Sequence, residues 1–81
     1  MPTNTLNQSI GAALRARRQE AGLAQSEVAA RAGTSQSALS RIESGESEPS
    51  LSRLSRIAAA LGCVVEVSFP KAERKGAGRV R

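Results

Sequence analysis

The chain carries apolar residues at intervals of three or four positions, the spacing of amphipathic α-helices. Leu6, Ile10 and Leu14 form the first stripe, which we expect to end near Gly22 because glycine readily closes a helix in the left-handed conformation. The last stripe ends in the same way at Gly62, and its residues are Leu51, Leu54, Ile57, Ala58 and Leu61. The pattern predicts four helices, over about 6–22, 25–32, 36–44 and 51–61.

After Gly62 the pattern changes to alternating positions with many β-branched residues, which is typical of a strand. Val65, Val67 and Phe69 are expected on one side of it, and Pro70 ends it. A lone strand has no partner in an otherwise helical chain, so we expect it to pair with a second copy of the protein. The predicted dimer strand contains Val64, Val65, Val67 and Phe69.

These elements predict an all-α fold: a compact bundle of four to five helices with a helix-turn-helix, plus one C-terminal β-strand pairing across a dimer. At 81 residues the chain has room for one compact domain, which we expect to span 6–69. Residues 70–81 are rich in Lys, Arg, Gly and Ala, a composition typical of a disordered tail.

Composition argues against several classes of function. With one cysteine, Cys63, and no histidine, the chain cannot form an intramolecular disulfide or the usual zinc sites. The commonest general base is therefore missing, and every acidic residue is glutamate, so we expect no enzymatic activity, no metal and no cofactor. The lack of a long apolar run and of a signal-peptide pattern predicts a cytoplasmic protein without a membrane partner.

The formal net charge of +5 favours a polyanionic partner such as nucleic acid. Most of the excess lies in the tail: residues 1–69 carry seven basic and six acidic side chains, whereas 70–81 carry five and one. Binding by a nearly neutral domain should depend on hydrogen bonds and dimerisation more than on ionic contacts. For the tail, a DNA-contacting arm, a segment that folds on a protein partner and a solubilising end remain open.

The segment 23–45 has the spacing of a helix-turn-helix unit. On its second helix, Leu39 and Ile42 mark the buried side, and the opposite arc of about 140° carries only hydrogen-bonding side chains. In the major groove Gln pairs with adenine and Arg with guanine, so this arc has the chemistry to read bases. Composition alone equally allows an ordinary solvated face. The predicted base-reading residues are Gln36, Ser37, Ser40 and Arg41.

A series of short motifs stands in register over residues 10–61. They are Gly22-Leu23-Ala-Gln25, Val28-Ala29, Ala32-Gly33-Thr-Ser35, Leu39-Ser-Arg-Ile42-Glu43-Ser-Gly45 and Pro49-Ser50-Leu51. Together they closely resemble the Cro/C1 (Xre-type) helix-turn-helix family. The resemblance implies a lambda repressor-like fold, whose second helix lies across the DNA backbone while the third enters the major groove, often as two-fold dimers on palindromic operators.

The resemblance also implies roles for individual residues. Gln36, Ser37 and Arg41 match base-reading positions of the family, with Ser40 close by. Gln25 matches a phosphate-binding position and could also brace Gln36. The predicted phosphate ligands are Gln25, Ser35 and Ser44.

A structural ion pair is implied in the same way. Arg18 and Glu43 match residues that tie the first helix to the third, and the alternative is two exposed charges. The chain departs from the family pattern at Ala24, where a Ser or Thr cap is usual. Glu46 and Glu48 also replace the basic or Asn residues common in the loop after the third helix, so we expect its phosphate contacts to come from backbone N–H groups.

The predicted function is sequence-specific binding of double-stranded DNA as a dimeric transcriptional repressor on a palindromic operator. The C-terminal strand resembles that of HipB-like antitoxins, which repress their own operon and bind a toxin, so an autoregulating antitoxin with a toxin partner belongs to this prediction. A free-standing regulator is the close competitor. The alternative from another class is a protein-interaction module that docks on and inhibits an enzyme, with DNA binding secondary.

Overall fold

Residues 5–72 are described by a computed structural model of the protein. They contain the four helices α1 (Thr5–Glu20), α2 (Gln25–Ala32), α3 (Gln36–Ser44) and α4 (Leu51–Ala60). The all-α architecture predicted from the apolar spacing is thereby confirmed. Residues 73–81, and with them most of the predicted tail, lie outside the described part. Within residues 5–72, no helix combines the length and apolar character needed to cross a bilayer.

Two glycines end the helices of the helix-turn-helix unit. Gly33 after α2 has φ +71° and Gly45 after α3 has φ +84°, in the left-handed region where a residue with a Cβ is strained. The N–H groups of both glycines bond back to carbonyls in the last turn of the preceding helix. Between α2 and α3, Ser35 is the N-cap, and its Oγ accepts a hydrogen bond from the N–H of Ala38 at 3.0 Å. The third helix is therefore held at both ends.

The start of α2 has no side-chain acceptor, because Ala24 is its N-cap. Glu27 compensates in part, since its carboxylate accepts a hydrogen bond from the backbone N–H of Ala24 at 2.8 Å. This is one half of a capping box, and it also places a negative charge near the positive end of the helix dipole. The helix accordingly begins at Gln25, as the sequence predicts.

The core of the described residues is aliphatic and lies between the helices. Val28, Leu39, Ile42 and Ile57 are fully buried. Removing one such side chain from water is worth about 1.5–3 kcal/mol. The other core residues are Leu14, Ala29, Ala32 and Leu54, with Ile10, Leu23, Ala60 and Leu61 packed against them.

Two leucines of the predicted apolar stripes lie outside this core. Leu6 is 66% exposed and Leu51 is 70% exposed. Both stand in the first turn of a helix, whereas buried positions begin with Gly11 in α1 and with Leu54 in α4. Periodicity identifies the apolar face of a helix but not the length over which its neighbours cover that face.

The crossing of α1 over α3 is very close, and Gly11 makes it possible. A Cβ atom on Gly11 would stand 2.6 Å from the carbonyl oxygen of Glu43 and 2.8 Å from its carbonyl carbon. Carbon atoms in packed interiors are at least about 3.5 Å apart at favourable contact, so only a glycine fits here. The backbones of α1 and α3 therefore touch directly beneath the C-terminal half of α3.

The predicted C-terminal strand is wrong for the single chain. From residue 63 to the end of the described part, the backbone forms no helix or strand. The physical reason is that a strand needs a second strand for its N–H and C=O groups, and the rest of the described chain is helical. The segment instead leaves apolar side chains in solvent. The exposed fractions are 83% for Val64, 36% for Val65, 61% for Val67 and 91% for Phe69.

Candidate nucleic-acid interface

One face of α3 is polar and open to solvent. On the other face Leu39, Ile42 and Glu43 are at most 7% exposed and hold the helix against the bundle. The open face consists of exposed side chains that donate or accept hydrogen bonds. They are Gln36, Ser37, Ser40, Arg41 and Ser44. An anchored helix with such a face has the size and chemistry to enter a major groove about 12 Å wide.

The four predicted base-reading residues are not engaged elsewhere in the described part of the chain. The side chains of Gln36, Ser37, Ser40 and Arg41 make no hydrogen bond or ion pair with any residue of 5–72. The guanidinium of Arg41 therefore keeps all five of its donors for another molecule. Contacts between these four side chains and DNA would break no bond within residues 5–72.

The two predicted phosphate ligands on α3 and its cap differ in what they have left to offer. Ser35 Oγ accepts from Ala38, so its own hydroxyl proton remains free for a phosphate oxygen. Ser44 Oγ donates to the carbonyl oxygen of Arg41 at 3.1 Å. Donation to a phosphate by Ser44 thus requires its hydroxyl to leave this bond, whereas Ser35 binds without losing its cap.

Behind the polar face, Arg18 of α1 and Glu43 of α3 form a bidentate ion pair. Arg18 Nε donates to Glu43 Oε2 at 2.7 Å, and Nη2 donates to Oε1 at 2.9 Å. The remaining Nη1 donates to the carbonyl oxygen of Leu23 at 2.9 Å. The two side chains are only 13% and 4% exposed. The pair links α1 to α3, and through Leu23 it also links α1 to the turn that precedes α2. The site is largely shielded from water.

Gln25 completes this group, which we call the carboxylate cluster (Arg18, Gln25 and Glu43). Gln25 Nε2 donates to Glu43 Oε1 at 3.0 Å, so that oxygen accepts two hydrogen bonds. The sequence suggested a brace between Gln25 and Gln36. In the free chain the partner is Glu43, seven positions and therefore about 10 Å further along α3. No local pattern pointed to this bond, because its residues are far apart in the chain.

The carboxyl group of Glu43 is held in its charged form. Burial raises its pKa, but hydrogen bonds from Arg18 and Gln25 and the charges of Arg18 and Arg15 outweigh that effect, so the pKa lies below its ordinary value. In return, the hydrogen bond to Glu43 raises the pKa of Arg18. Arg15 lies on the exposed surface of α1 and acts on Glu43 through its charge.

A second surface is apolar. An open cavity of about 640 Å³ lies between α1, α4 and residues 61–66, and its lining includes Ile10 and Leu54. Its lining contains no residue of α2 or α3. The exposed side chains of Val67 and Phe69 follow directly in the chain. This surface is separate from the polar face of α3.

Helices α2 and α3, the turn between them and the exposed polar face of α3 define a helix-turn-helix protein. Comparison of the chain with known protein families and solved structures agrees with this assignment. Residues 14–64 match the helix-turn-helix family, and the chain belongs to it. The family predicted from the sequence motifs is thus confirmed.

The solved structures similar to this chain include two of the clp gene regulator ClgR from Corynebacterium glutamicum. One is 35% identical with a TM-score of 0.73, covering 78% of this chain and 67% of that chain. The other is 36% identical with a TM-score of 0.75, covering 79% of this chain and 82% of that chain. No curated protein matches the sequence significantly.

Proposed function

We propose that the protein regulates transcription by binding double-stranded DNA with α3 in the major groove. The observation that carries this proposal is the polar face of α3, whose base-reading candidates are exposed and unengaged within residues 5–72. The similarity to a structure named as a gene regulator supports it, because at 35% identity the two share this fold over most of the chain. The same evidence favours a binding role over a catalytic one.

In this proposal Gln36 and Arg41 read bases through bidentate hydrogen bonds, with Ser37 and Ser40 as shorter partners. Ser35 and Ser44 donate to phosphates on either side of the groove. The domain itself is nearly neutral, with seven basic and six acidic side chains over 1–69. Its affinity should therefore decrease less steeply with salt than that of a protein with many lysine–phosphate contacts.

Replacing Arg41 by alanine is expected to weaken binding to the specific site about 5- to 150-fold, the worth of one bidentate base contact. Because the side chain is exposed and unpaired within residues 5–72, the melting temperature should stay unchanged. The measurement is fluorescence anisotropy on the DNA upstream of the protein's own gene and on a random duplex, over a salt series.

Arg56→Ala is the matched control, since it removes the same charge from an exposed position of α4. Equal losses for Arg41→Ala and Arg56→Ala would mean that net charge alone matters. A wild-type protein that prefers its upstream DNA no more than the random duplex would overturn the proposed function.

The finer part of the proposal is a homodimeric repressor on a palindromic operator. Dimerisation through residues 64–69 would cover Val64, Val67 and Phe69, which are 61–91% exposed in the single chain. Large apolar side chains so close to the open cavity at α1 and α4 are typical of a surface that another protein covers. A two-fold dimer would present its α3 helices to half-sites about 34 Å apart.

Phe69→Ser is expected to shift the protein toward monomer in sedimentation velocity at micromolar concentrations. Phe69 is 91% exposed, so the change removes no core contact and the melting temperature of the monomer should not change. Ser68→Ala, at the neighbouring exposed position, is the control and should leave the association unchanged. An unaltered dimer in Phe69→Ser would show that this segment is not the interface.

An autoregulating antitoxin remains a prediction within this proposal, and docking on an enzyme remains its alternative. Both need a partner protein, and the exposed apolar side chains of Val64, Val67 and Phe69 offer a surface for one. A toxin encoded beside this protein that forms a stable complex with it on co-expression would favour the antitoxin. DNA binding without such a complex would favour a free-standing regulator.

A further inference from the structure

An apolar groove stands open on the side of the bundle formed by α1 and α4. We use this name for the open cavity of about 640 Å³ between the two helices and residues 61–66. Clefts of about 300–1,000 Å³ are typical of binding sites. The lining includes Leu14, Leu54 and Ala58, which also belong to the packed interior and are at most 8% exposed. The groove therefore offers apolar surface to whatever enters it.

Residues 64–69, which we call the arm, are held only weakly by the rest of the described chain. The last backbone hydrogen bond before the arm runs from the N–H of Cys63 to the carbonyl oxygen of Ala58 at 2.8 Å, and residues 64–72 make none. Val67 and Phe69 are two positions apart, so in an extended backbone their side chains lie on the same side. They are 61% and 91% exposed. The arm thus presents two large apolar side chains together.

The arm of a second copy fits the groove better than the arm of the same chain. The chain's own arm is present in the structure, and the groove is nevertheless open while Phe69 is exposed. Residues 65–69 span about 17 Å when extended. The ten residues of α4 are about 15 Å long. An arm that arrives from another molecule is therefore long enough to follow the groove along α4.

Charge and area also favour a second copy. Glu66 is the only charged residue of the arm, and Arg17, which lines the groove, has the opposite sign. In a two-fold dimer each Phe69 would bury about 150–250 Å² and cover a similar area of the other copy, together about 600–1,000 Å². The exposed valines of both arms raise this area toward the roughly 1,200 Å² of a small specific interface.

We propose that the protein dimerises by exchanging arms, so that each copy places Phe69 in the groove between α1 and α4 of the other. The inference rests on the proposed function, whose dimer it specifies. Arm exchange differs from pairing of the two arms as strands, because strand pairing alone leaves both grooves open. The groove lining in the described part of the chain contains no residue of α2 or α3, so the exchange leaves the polar face of α3 free for DNA.

Ala13→Glu tests the groove. Ala13 lines the groove with an exposed side chain, so the change removes no buried contact. The new carboxylate would have to lose its water when an apolar arm docks, which is costly. We expect the dimer dissociation constant in sedimentation velocity to rise about 10-fold or more.

The matched control is Ala12→Glu, the same change at an exposed position of α1 outside the groove lining. It should leave the dimer dissociation constant unchanged, and circular dichroism should show both variants folded. A dimer as tight in Ala13→Glu as in the wild type would overturn arm exchange.

A mixture of two variants distinguishes arm exchange from strand pairing. Ala13→Glu has an intact arm and a blocked groove, whereas Phe69→Ser has an intact groove and a truncated arm. Neither variant can form an intact contact with itself, but a mixed pair forms one of the two contacts. We expect the mixed pair to associate about 10-fold more tightly than either variant alone.

Energy transfer between copies labelled at their amino termini measures this association, because the sole cysteine, Cys63, lines the groove and must stay unlabelled. Strand pairing without exchange predicts an affinity midway between those of the two variants. That result would overturn arm exchange.

Phe69→Trp reports docking directly. The chain contains no tryptophan or tyrosine, so the new indole is the only one and its emission is read without interference. We expect the emission to move to shorter wavelength as the protein concentration rises through the dimer dissociation constant, because the indole leaves water for the groove. Adding Ala13→Glu to the same chain should abolish the shift. An emission typical of an exposed indole at every concentration would overturn arm exchange.

DNA binding is measured separately, on the upstream duplex and on a random duplex. Specific binding by the wild type, together with an indole in Phe69→Trp that stays exposed, would overturn arm exchange and leave the proposed function intact. Exchanged dimers that prefer no DNA sequence would overturn the proposed function and leave arm exchange standing.

Discussion

Gly11→Ala is expected to destabilise the protein by about 3 kcal/mol, at the upper end of what overpacking a core usually costs. In an isolated helix the same change is stabilising by about 1 kcal/mol, because alanine has the higher helix propensity. The sign reverses here because the new methyl group would stand 2.6 Å from the carbonyl oxygen of Glu43. The obstacle is backbone of α3, which cannot turn aside as a side chain would.

Thermal unfolding followed by circular dichroism measures this effect. A domain of this size loses about 4–8 °C in melting temperature per kcal/mol, so we expect a decrease of roughly 12–24 °C. Since α1 would have to move away from α3, specific DNA binding should also weaken where the variant is still folded. The polar face of α3 depends on the support of α1 from behind.

Ala12→Gly is the control for helix propensity. It is the reverse change at the next position of α1, where the side chain is exposed. It should cost about 1 kcal/mol, the ordinary price of glycine in a helix. A Gly11→Ala variant as stable as wild type or more so would contradict the close crossing of α1 and α3.

Arg18→Ala is expected to cost about 3 kcal/mol at neutral pH, because it leaves the carboxylate of Glu43 buried without its cation. The side chain of Glu43 is 4% exposed, so water cannot replace the two lost hydrogen bonds in full. The hydrogen bond from Gln25 remains but is too weak to compensate for burial. The measurement is again the melting temperature.

The pH dependence of this loss has a defined sign. In the wild type the pKa of Glu43 is lowered, so the cluster stabilises the fold above about pH 4.5, the ordinary value, and this contribution is lost as the pH falls through the lowered pKa. Without Arg18, burial dominates and raises the pKa of Glu43. As the pH falls, protonation of Glu43 removes the unpaired buried charge from the Arg18→Ala variant. The difference in melting temperature between the variant and the wild type should therefore narrow between pH 7 and about pH 4.5.

Arg17→Ala is the matched control for Arg18→Ala. Arg17 pairs with Glu20 at 3.1 Å, but both side chains are about two-thirds exposed. Its loss should change the stability by no more than about 0.5 kcal/mol. A variant Arg18→Ala that behaves like Arg17→Ala would mean that the carboxylate cluster does not contribute to stability.

Much of the helix-turn-helix unit follows from local rules. The bounds of α2 and α3 agree with prediction because Gly33 and Gly45 end the helices and Ser35 begins the second of them. The two sides of α3 follow from the spacing of Leu39 and Ile42, which places the polar side chains opposite. These features depend on residues within one or two helical turns of each other, where propensity and capping act directly.

The C-terminal segment shows where such rules fail. The alternation from Val64 to Phe69 favours an extended chain, but alternation does not supply the neighbouring strand that hydrogen bonding requires. The apolar stripes likewise include Leu6 and Leu51, but both side chains are largely exposed in the described part of the chain. The spacing alone did not reveal this exposure. In both cases the missing information was the position of a partner element.

The sequence by itself determined the four helices, the polar face of α3 and the family to which the chain belongs. Only the tertiary structure decided that Gly11 brings two backbones into contact and that Gln25 bonds to Glu43 instead of Gln36. The physical reason is that helix formation is decided between residues a turn apart. The fit of a glycine under a carbonyl group, and the direction of an amide beside a buried carboxylate, depend on how whole helices cross.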